Sequence, residues 1–510
     1  MQATASLPDL QSTLDESFVV VLEEPKVLSH LQESLGNGDI PPALFANYVM
    51  YRFIDSIKET IPSEINGKQM MAARAQNDVS EEAIDLEKLR FRKKKRATLR
   101  EDPLPRKMIF GVATTEQEST CMSNVLIGGM QWAATRMFTD ALYPTKKSRS
   151  ELREKVGSVV RSILVGFRSE IDQLNWMSHS TKKGAYEKLD NLVINIGFPD
   201  WVMDDKRLDD YHATLSVLEG QSFMKMRELV EQFSTRSTLV RLLEKSGSDR
   251  TDFTQHAAYT NAWYLPEANS ITIPAGILHQ PFFDPDYPTA INYGALGAIV
   301  GKLFFVYLTA VFGIFLKVTR KSRHEVTHGF DDHGVQFDGT GILRNWMDSE
   351  SERAFSAMAQ CVIDEYDQFC PLPQHPLASC IDGKQTQGEN IADNGGVRAA
   401  FRGFMARIAL DGSDPRLPDE YAEFTPDQQF FLGFSQVWCE APPAANTILS
   451  LLLTDEHSPF RFRVFGSLQN FAQFKASYNC RAGAAYAPKE HCEVWTSDVV
   501  IGLVMSYSLL

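Results

Sequence analysis

Residues 294–334 read GALGAIVGKLFFVYLTAVFGIFLKVTRKSRHEVTHGFDDHG, and the fold turns on how the end of that stretch is taken. His324-Glu325-Val326-Thr327-His328 sets two histidines four apart. On a helix both imidazoles share a face and can offer nitrogen to one Zn²⁺. Glu325 then stands beside the open coordination position, placed to take a proton from an attacking water and pass it to a leaving amine. The pentapeptide also arises by chance, so it needs support from elsewhere in the chain. Its approach is unusual, because Leu303 to Leu316 is an apolar run of 14 residues between Lys302 and Lys317. That is short of the ~20 residues that span a bilayer, which reads against a membrane helix.

The 510 residues suffice for more than one domain and a substantial core. A composition 44% hydrophobic and 23% charged is ordinary for a folded chain. The net charge of −14 argues against a binder of phosphate backbones, so no nucleic-acid partner is expected. One basic patch, Arg90 to Arg96, lies between acidic stretches and reads as a solvated loop or helix face. The opening MQATASLPDLQSTLDES has neither the basic start nor the apolar core of a signal peptide. Seven cysteines lack the short spacing of a zinc ribbon, and six of them lie from Cys361 onward. That clustering suggests a disulfide-bonded C-terminal half suited to an oxidising compartment.

The coarse class is mainly α with a little β. Ser148 to Glu151 has the form of a capping box, followed by Leu152, Val156, Val159, Val160, Ile163, Leu164, Phe167 and Ile171 at helical spacing. A second helix is expected after Ser180, carrying Ala185, Leu189, Leu192 and Val193 and ending near Gly197-Phe198-Pro199. Residues 63–105 are charged and weakly periodic, and read as a loop insertion. Near residue 255 the texture changes, and NAWYLPEANSITIPAGIL predicts a hairpin around Pro266 to Asn269. Helical patterns return over Asn345–Asp367, Asn390–Arg407 and Pro426–Val437.

A catalytic zinc needs a third protein ligand. Downstream, GENIADNGG sets Glu389 and Asp393 four apart, so one helix face presents a ligand and a second carboxylate able to hold a ligating histidine. Alone such a pair is usually a solvated helix face; beside HExxH it becomes a candidate ligand set.

NAWYLPEANSITIPAGIL, PFFDPDYPTAINYGALGAIVG, HEVTHGFDDHG, GENIADNGG, FFLGFSQVWC, HSPFRFRVFGSLQN and CEVW follow one another in this order. Together they closely resemble the neprilysin / endothelin-converting-enzyme family of zinc metalloendopeptidases, densely from Tyr259 to Trp495 and more loosely back to Phe18. The resemblance implies one Zn²⁺ per chain, held by His324, His328 and Glu389, with Glu325 as general base. It makes Asp393 the aspartate that orients a zinc-binding histidine and Asp331 the one behind the HExxH helix. Asn261 and Ala262 match the edge-strand pair that binds substrate backbone, His457 the oxyanion-stabilising histidine, and Arg463 the arginine that grips substrate carbonyls. It further implies oligopeptide substrates, cleavage on the amino side of hydrophobic residues, and a place on the extracellular side as a membrane or secreted ectoenzyme. The implied fold is a thermolysin-like lobe (residues 250–495) facing a helical lid lobe, of which residues 1–245 would be a part.

The sequence also departs from the family pattern. It begins inside the region matching the ectodomain, and residues 496–510 extend past the usual terminal tryptophan. Cys361 and Cys492 match a family disulfide. Cys370 and Cys380 are outside the pattern and could join each other, while Cys121, Cys439 and Cys480 match cysteines whose partners precede the chain. Between Gly301 and His324 stand 22 residues, Lys302 to Arg323, which family members lack. Their composition fits a retained 66-nucleotide intron, since 22 × 3 = 66 keeps frame. An inactive relative is therefore the competing expectation.

Overall fold

The computed structural model describes residues 129–216, 220–243, 249–300, 327–373, 375, 379–441 and 443–496, with 33, 37 and 126 as isolated positions. Residues 63–105, the Arg90–Arg96 patch, Cys121, the 302–323 segment with the apolar run, His324, Glu325 and residues 497–510 lie outside the described residues. By internal contacts the described chain divides into a larger unit (132–210, 249–300 and 327–496) and a smaller one (129–131, 211–216 and 220–243). Residues 132–210 thus group with those from 249 onward.

The larger unit is built on α1 (Gln131–Leu142), α2 (Lys146–Gln173) and α3 (His179–Asp190). Thr145 caps α2, one turn ahead of the expected box. Its Oγ1 accepts from the Ser148 amide at 3.0 Å, and Ser148 Oγ accepts from the Thr145 amide at 3.2 Å. Thr145 thus satisfies the free amides first, and Lys146 and Lys147 add a turn in front of the apolar stripe. The stripe is core as its spacing predicts, with Val156, Val160, Ile163, Phe167 and Ile171 fully buried. Ser178, not Ser180, caps α3. The helix stops before Leu192 and Val193, because Val193–Gly197 forms strand β1. Its β-branched, alternating Val-Ile-Asn-Ile favours a half-buried strand over a helix end.

In the smaller unit, α4 (Phe223–Leu243) contributes Phe233, which is buried with the rings of Tyr211 and His212 against it.

β2 (Trp263–Leu265) and β3 (Ser270–Pro274) form the expected hairpin, joined by a 3₁₀ turn and Asn269. β3 runs parallel to β1 and antiparallel to β2, giving the order β1-β3-β2 with β2 at the edge. Asn269 takes a left-handed backbone (φ 40°) and is fully buried. Its side chain donates to the carbonyls of Lys188 and Gly339, both at 2.9 Å, and accepts from the Tyr264 hydroxyl.

The remaining helices are α5 (Thr289–Asn292, continuing through a π turn at Tyr293–Gly297 to Val300), α6 (Ser349–Tyr366), α7 (Gln387–Asp411), α8 (Pro426–Gln436), α9 (Ala445–Thr454) and α10 (Phe460–Gln469). Helices α6, α7 and α8 fall where the sequence pattern placed them. Two backbone-close crossings organise them. A Cβ on Gly166 of α2 would lie 2.4 Å from the Ala399 carbonyl oxygen of α7, and one on Gly403 would lie 2.8 Å from that of Ser162. A Cβ on Gly294 would meet the Phe430 carbonyl oxygen of α8 at 2.0 Å. The Gly166–Ala399 and Gly403–Ser162 contacts, with Phe167 packed on Phe330 and the buried Trp495, join residues 132–210 to the later helices.

Cys361 is bonded to Cys492, tying α6 to the last part of the unit, and Cys370 is bonded to Cys380. Cys439 and Cys480 carry free thiols. Among the described residues no helix is long and apolar enough to cross a membrane.

Candidate metal centre

Glu389 and Asp393 stand in the first two turns of α7, both buried, with Glu389 near the positive end of the helix. Two glycines of the same stretch bring the HExxH end onto them. A Cβ on Gly395 would lie 2.6 Å from Thr327 Cγ2, and one on Gly388 would lie 2.7 Å from Asp332 Oδ1. Thr327–Gly329 is a 3₁₀ turn, so the described end of the motif is tighter than the α-helix its spacing suggested. His328, 1% exposed, is hydrogen-bonded through Nδ1 to Asp331 Oδ2. The other Asp331 oxygen accepts from the amides of His333 at 2.9 Å and Gly334 at 2.5 Å. With Nδ1 so engaged, Nε2 faces Glu389 Oε1 at 3.7 Å. Beside them is a cavity of about 70 Å³ lined by His328, Asp331, His333, Gln385, Glu389 and Glu456, among others.

The second Glu389 oxygen faces a different pair. His457 Nε2 lies 3.2 Å from it and Arg463 Nη2 lies 3.5 Å away. His457 is oriented by Asp455, at 2.6 Å from Nδ1. Arg463, on α10, is fully buried and gives Asp393 a two-pronged contact, Nε to Oδ2 at 2.9 Å and Nη2 to Oδ1 at 2.8 Å. Its guanidinium lies over the Trp438 ring at 4.4 Å. Burial pushes the Glu389 carboxyl well above the usual range; Arg463 opposes this, and Glu456, Asp393 and Asp331 add to it. Burial works against the Arg463 charge too, but Asp393 outweighs it and holds the guanidinium more firmly protonated. Asp455 is lowered overall, its burial being overcome by the bond from His457.

The structure therefore brings His328, Asp331, Glu389, Asp393, His457 and Arg463 into one cluster. The carboxylate on His328 belongs to Asp331, while Asp393 is engaged by Arg463. Asn261 and Ala262 stand immediately before edge strand β2, both buried, and Asn261 Oδ1 has no hydrogen-bond partner among the described residues. Sequence reasoning missed Asp455 and Glu456, whose only signal is their adjacency to His457.

Among the described residues no group of three His, Cys, Asp or Glu side chains is set to hold a metal ion, and His324 is not among those residues. The donors present nonetheless fit zinc. An imidazole nitrogen and a carboxylate oxygen 3.7 Å apart are spaced about as two ligands at ~2.0–2.2 Å from a shared tetrahedral ion would be. The carboxylate behind His328 Nδ1 is the usual outer partner of a metal-binding histidine. Among the described residues the three buried carboxylates Asp331, Glu389 and Asp393 share their cluster with one guanidinium, and a divalent cation there would favour the ionised form of Glu389.

Peptidase family M13 has a profile that matches residues 261–303 and 319–494, and a second profile of that family matches residues 3–199. The chain belongs to peptidase family M13. It is 36% identical over 370 residues to neprilysin-1 of Caenorhabditis elegans, covering 72% of this chain and 44% of that protein. With membrane metallo-endopeptidase-like 1 of Mus musculus the identity is 35% over 395 residues, 76% of this chain and 47% of the relative. The zinc metalloprotease Zmp1 of Mycobacterium tuberculosis, solved with an inhibitor, superposes with a TM-score of 0.60 at 25% identity, covering 74% of this chain and 51% of that one. The chain thus spans about half the length of the curated relatives it matches. The break between the two matched segments, residues 304–318, falls inside the 302–323 segment.

Proposed function

We propose that the chain is a zinc metalloendopeptidase acting on oligopeptides, on the amino side of hydrophobic residues, at the extracellular side of the cell. The observation that carries this is the pairing of His328 with Glu389 beside a small cavity in a chain of family M13. His328 and Glu389, with His324, would hold the zinc, which when bound supplies a Lewis acid for water and for the scissile carbonyl. Glu325 takes the proton of the attacking water and delivers it to the departing amine. His457, fixed by Asp455, donates to the carbonyl oxygen as charge develops there. Asn261 and Ala262 bind the substrate backbone along the edge of β2, where the buried Asn261 Oδ1 accepts a peptide N–H. Arg463 holds Glu389 and Asp393 in place and grips substrate carbonyls, while Asp393 orients a zinc-binding histidine. In this reading residues 250–495 carry the chemistry and residues 1–245 are part of the lid, with 132–210 packed into the catalytic unit.

Two variants test the roles. Glu389→Gln removes a charged ligand and lowers zinc affinity, whereas Glu325→Gln leaves zinc bound and stops hydrolysis. Equal zinc loss in both refutes the assignment. A second reading, an inactive relative retaining at most peptide binding, is favoured by the interruption of the family match at residues 304–318. A chain that binds zinc and peptide but shows no hydrolysis would select it.

A further inference from the structure

Lys188 lies on α3, far in sequence from every candidate ligand, and is 1% exposed. Burying an ammonium is costly unless hydrogen bonds replace its water. Here Nζ donates to the carbonyls of Gly334 and Phe337, both at 2.6 Å, with the Tyr264 and Phe330 ring centres 5.8 Å from it. Gly334 is thereby held from both ends, since its amide donates to Asp331 Oδ1. No side chain is tolerated there, because a Cβ would lie 1.6 Å from the His328 carbonyl oxygen. Asp331 in turn engages His328 Nδ1. A continuous path runs from the ammonium through Gly334 and Asp331 to the imidazole that faces Glu389.

We propose that Lys188 is a positioning residue of the metal centre, fixing Gly334 so that Asp331 keeps His328 turned toward Glu389. The proposal rests on the zinc reading above. A neighbouring bolt on the same loop separates this from a general role in folding, because it reaches the path only through the Lys188 backbone and touches neither Gly334 nor Asp331. Asn269 ties Gly339 to the Lys188 carbonyl, beyond the Asp331 turn, and donates nothing to Gly334 or Asp331.

The test uses the 510-residue chain with and without residues 302–323, and compares Lys188→Met, Lys188→Arg and Asn269→Gly. Glycine at 269 keeps the left-handed backbone while removing both donors. Cobalt and zinc affinities are read by competition with a chelator, the cobalt visible spectrum reports ligand geometry, and circular dichroism reports the fold. Lys188→Met should lower affinity and alter the cobalt bands, by less than the ~10–100-fold that loss of the direct outer partner Asp331 would cost. Lys188→Arg, which keeps the charge and donors, should recover part of that affinity. Asn269→Gly should lower the thermal midpoint with affinity and spectrum unchanged. Unchanged affinity in folded Lys188→Met, an equal loss in Asn269→Gly, or failure of both Lys188 variants to fold overturns the proposal. A parent chain that binds neither metal in either form removes the zinc reading itself.

Discussion

Replacing Arg463 by Met keeps most of the aliphatic stem but removes a fully buried cation, and with it the guanidinium that lies over the Trp438 ring. Two effects contribute. The guanidinium makes two charge-assisted bonds to Asp393, each worth about 1.5–3 kcal/mol. Asp393, also fully buried, is left without its cation, a loss that costs about 3–5 kcal/mol in buried pairs. The two figures describe one interaction from its two ends, so they are not summed, and the expected cost is about 3–5 kcal/mol. Glu389 at the same time loses a cation that offsets its burial. Urea unfolding followed by near-ultraviolet circular dichroism reads the loss, with Asp393→Asn and the double variant completing a cycle. Each single change leaves a strained partner, so the double variant should cost less than the sum by about 2 kcal/mol or more. A cost below about 1 kcal/mol, the value of an exposed pair, would refute the reasoning, as would strict additivity. If gripping substrate were the main role of Arg463, the variant would instead raise KM and leave stability alone.

Three further outcomes are expected. Removing the Cys361–Cys492 bridge, which spans 131 residues, should cost about 5 kcal/mol by chain entropy, against about 2.7 kcal/mol for Cys370–Cys380, which spans 10; the reverse order of thermal midpoints would contradict this. Burial raises the Glu170 carboxyl to about 7 against the pull of Arg402 and Arg398. Its stability contribution is thus fully present below about pH 4.5 and lost as pH rises through about 7, by ~3 kcal/mol. Glu170→Gln should therefore stabilise the chain at about pH 8 and not at about pH 4.5, and equal shifts at both would sink the idea. Finally, as a continuous helix the 22 residues from Lys302 to Arg323 would separate their flanks by roughly 33 Å. Deleting them should raise solubility and zinc affinity; an undeleted chain equal in both would make the segment a tolerated loop.

What the sequence made legible was periodic or local. The α2 stripe, the hairpin about Asn269 and helices α6 to α8 follow from spacing and turn chemistry that act within a few residues. Leu192 and Val193 misled because a short β-branched run carries little helical or strand period, and pairing with distant Ser270 decided it. The start of α2 was misplaced because Thr145 and Ser148 offer overlapping caps. In the cluster, the four-residue spacing of Glu389 and Asp393 announced a shared face, but not that Arg463 would occupy Asp393. Asp455 offered only its adjacency to His457, and the Lys188–Gly334 contact carries no sequence signal because it joins residues 146 apart.

Helix α7 has 25 residues, a rod of about 37 Å, and Glu389 sits at one tip. Its grip on α2 at Gly403 is 14 residues away, about 21 Å along the axis. Between those points a hydrogen-bonded helix is stiff in compression, so an axial slip of α7 in the Gly166–Gly403 groove arrives at Glu389 undiminished. A bulky residue at either glycine would work as a lever on a carboxylate it never touches. Substitutions that tune the His328–Glu389 cluster should therefore turn up in this remote groove as well as around the cluster itself, and a library confined to the cavity walls would miss them.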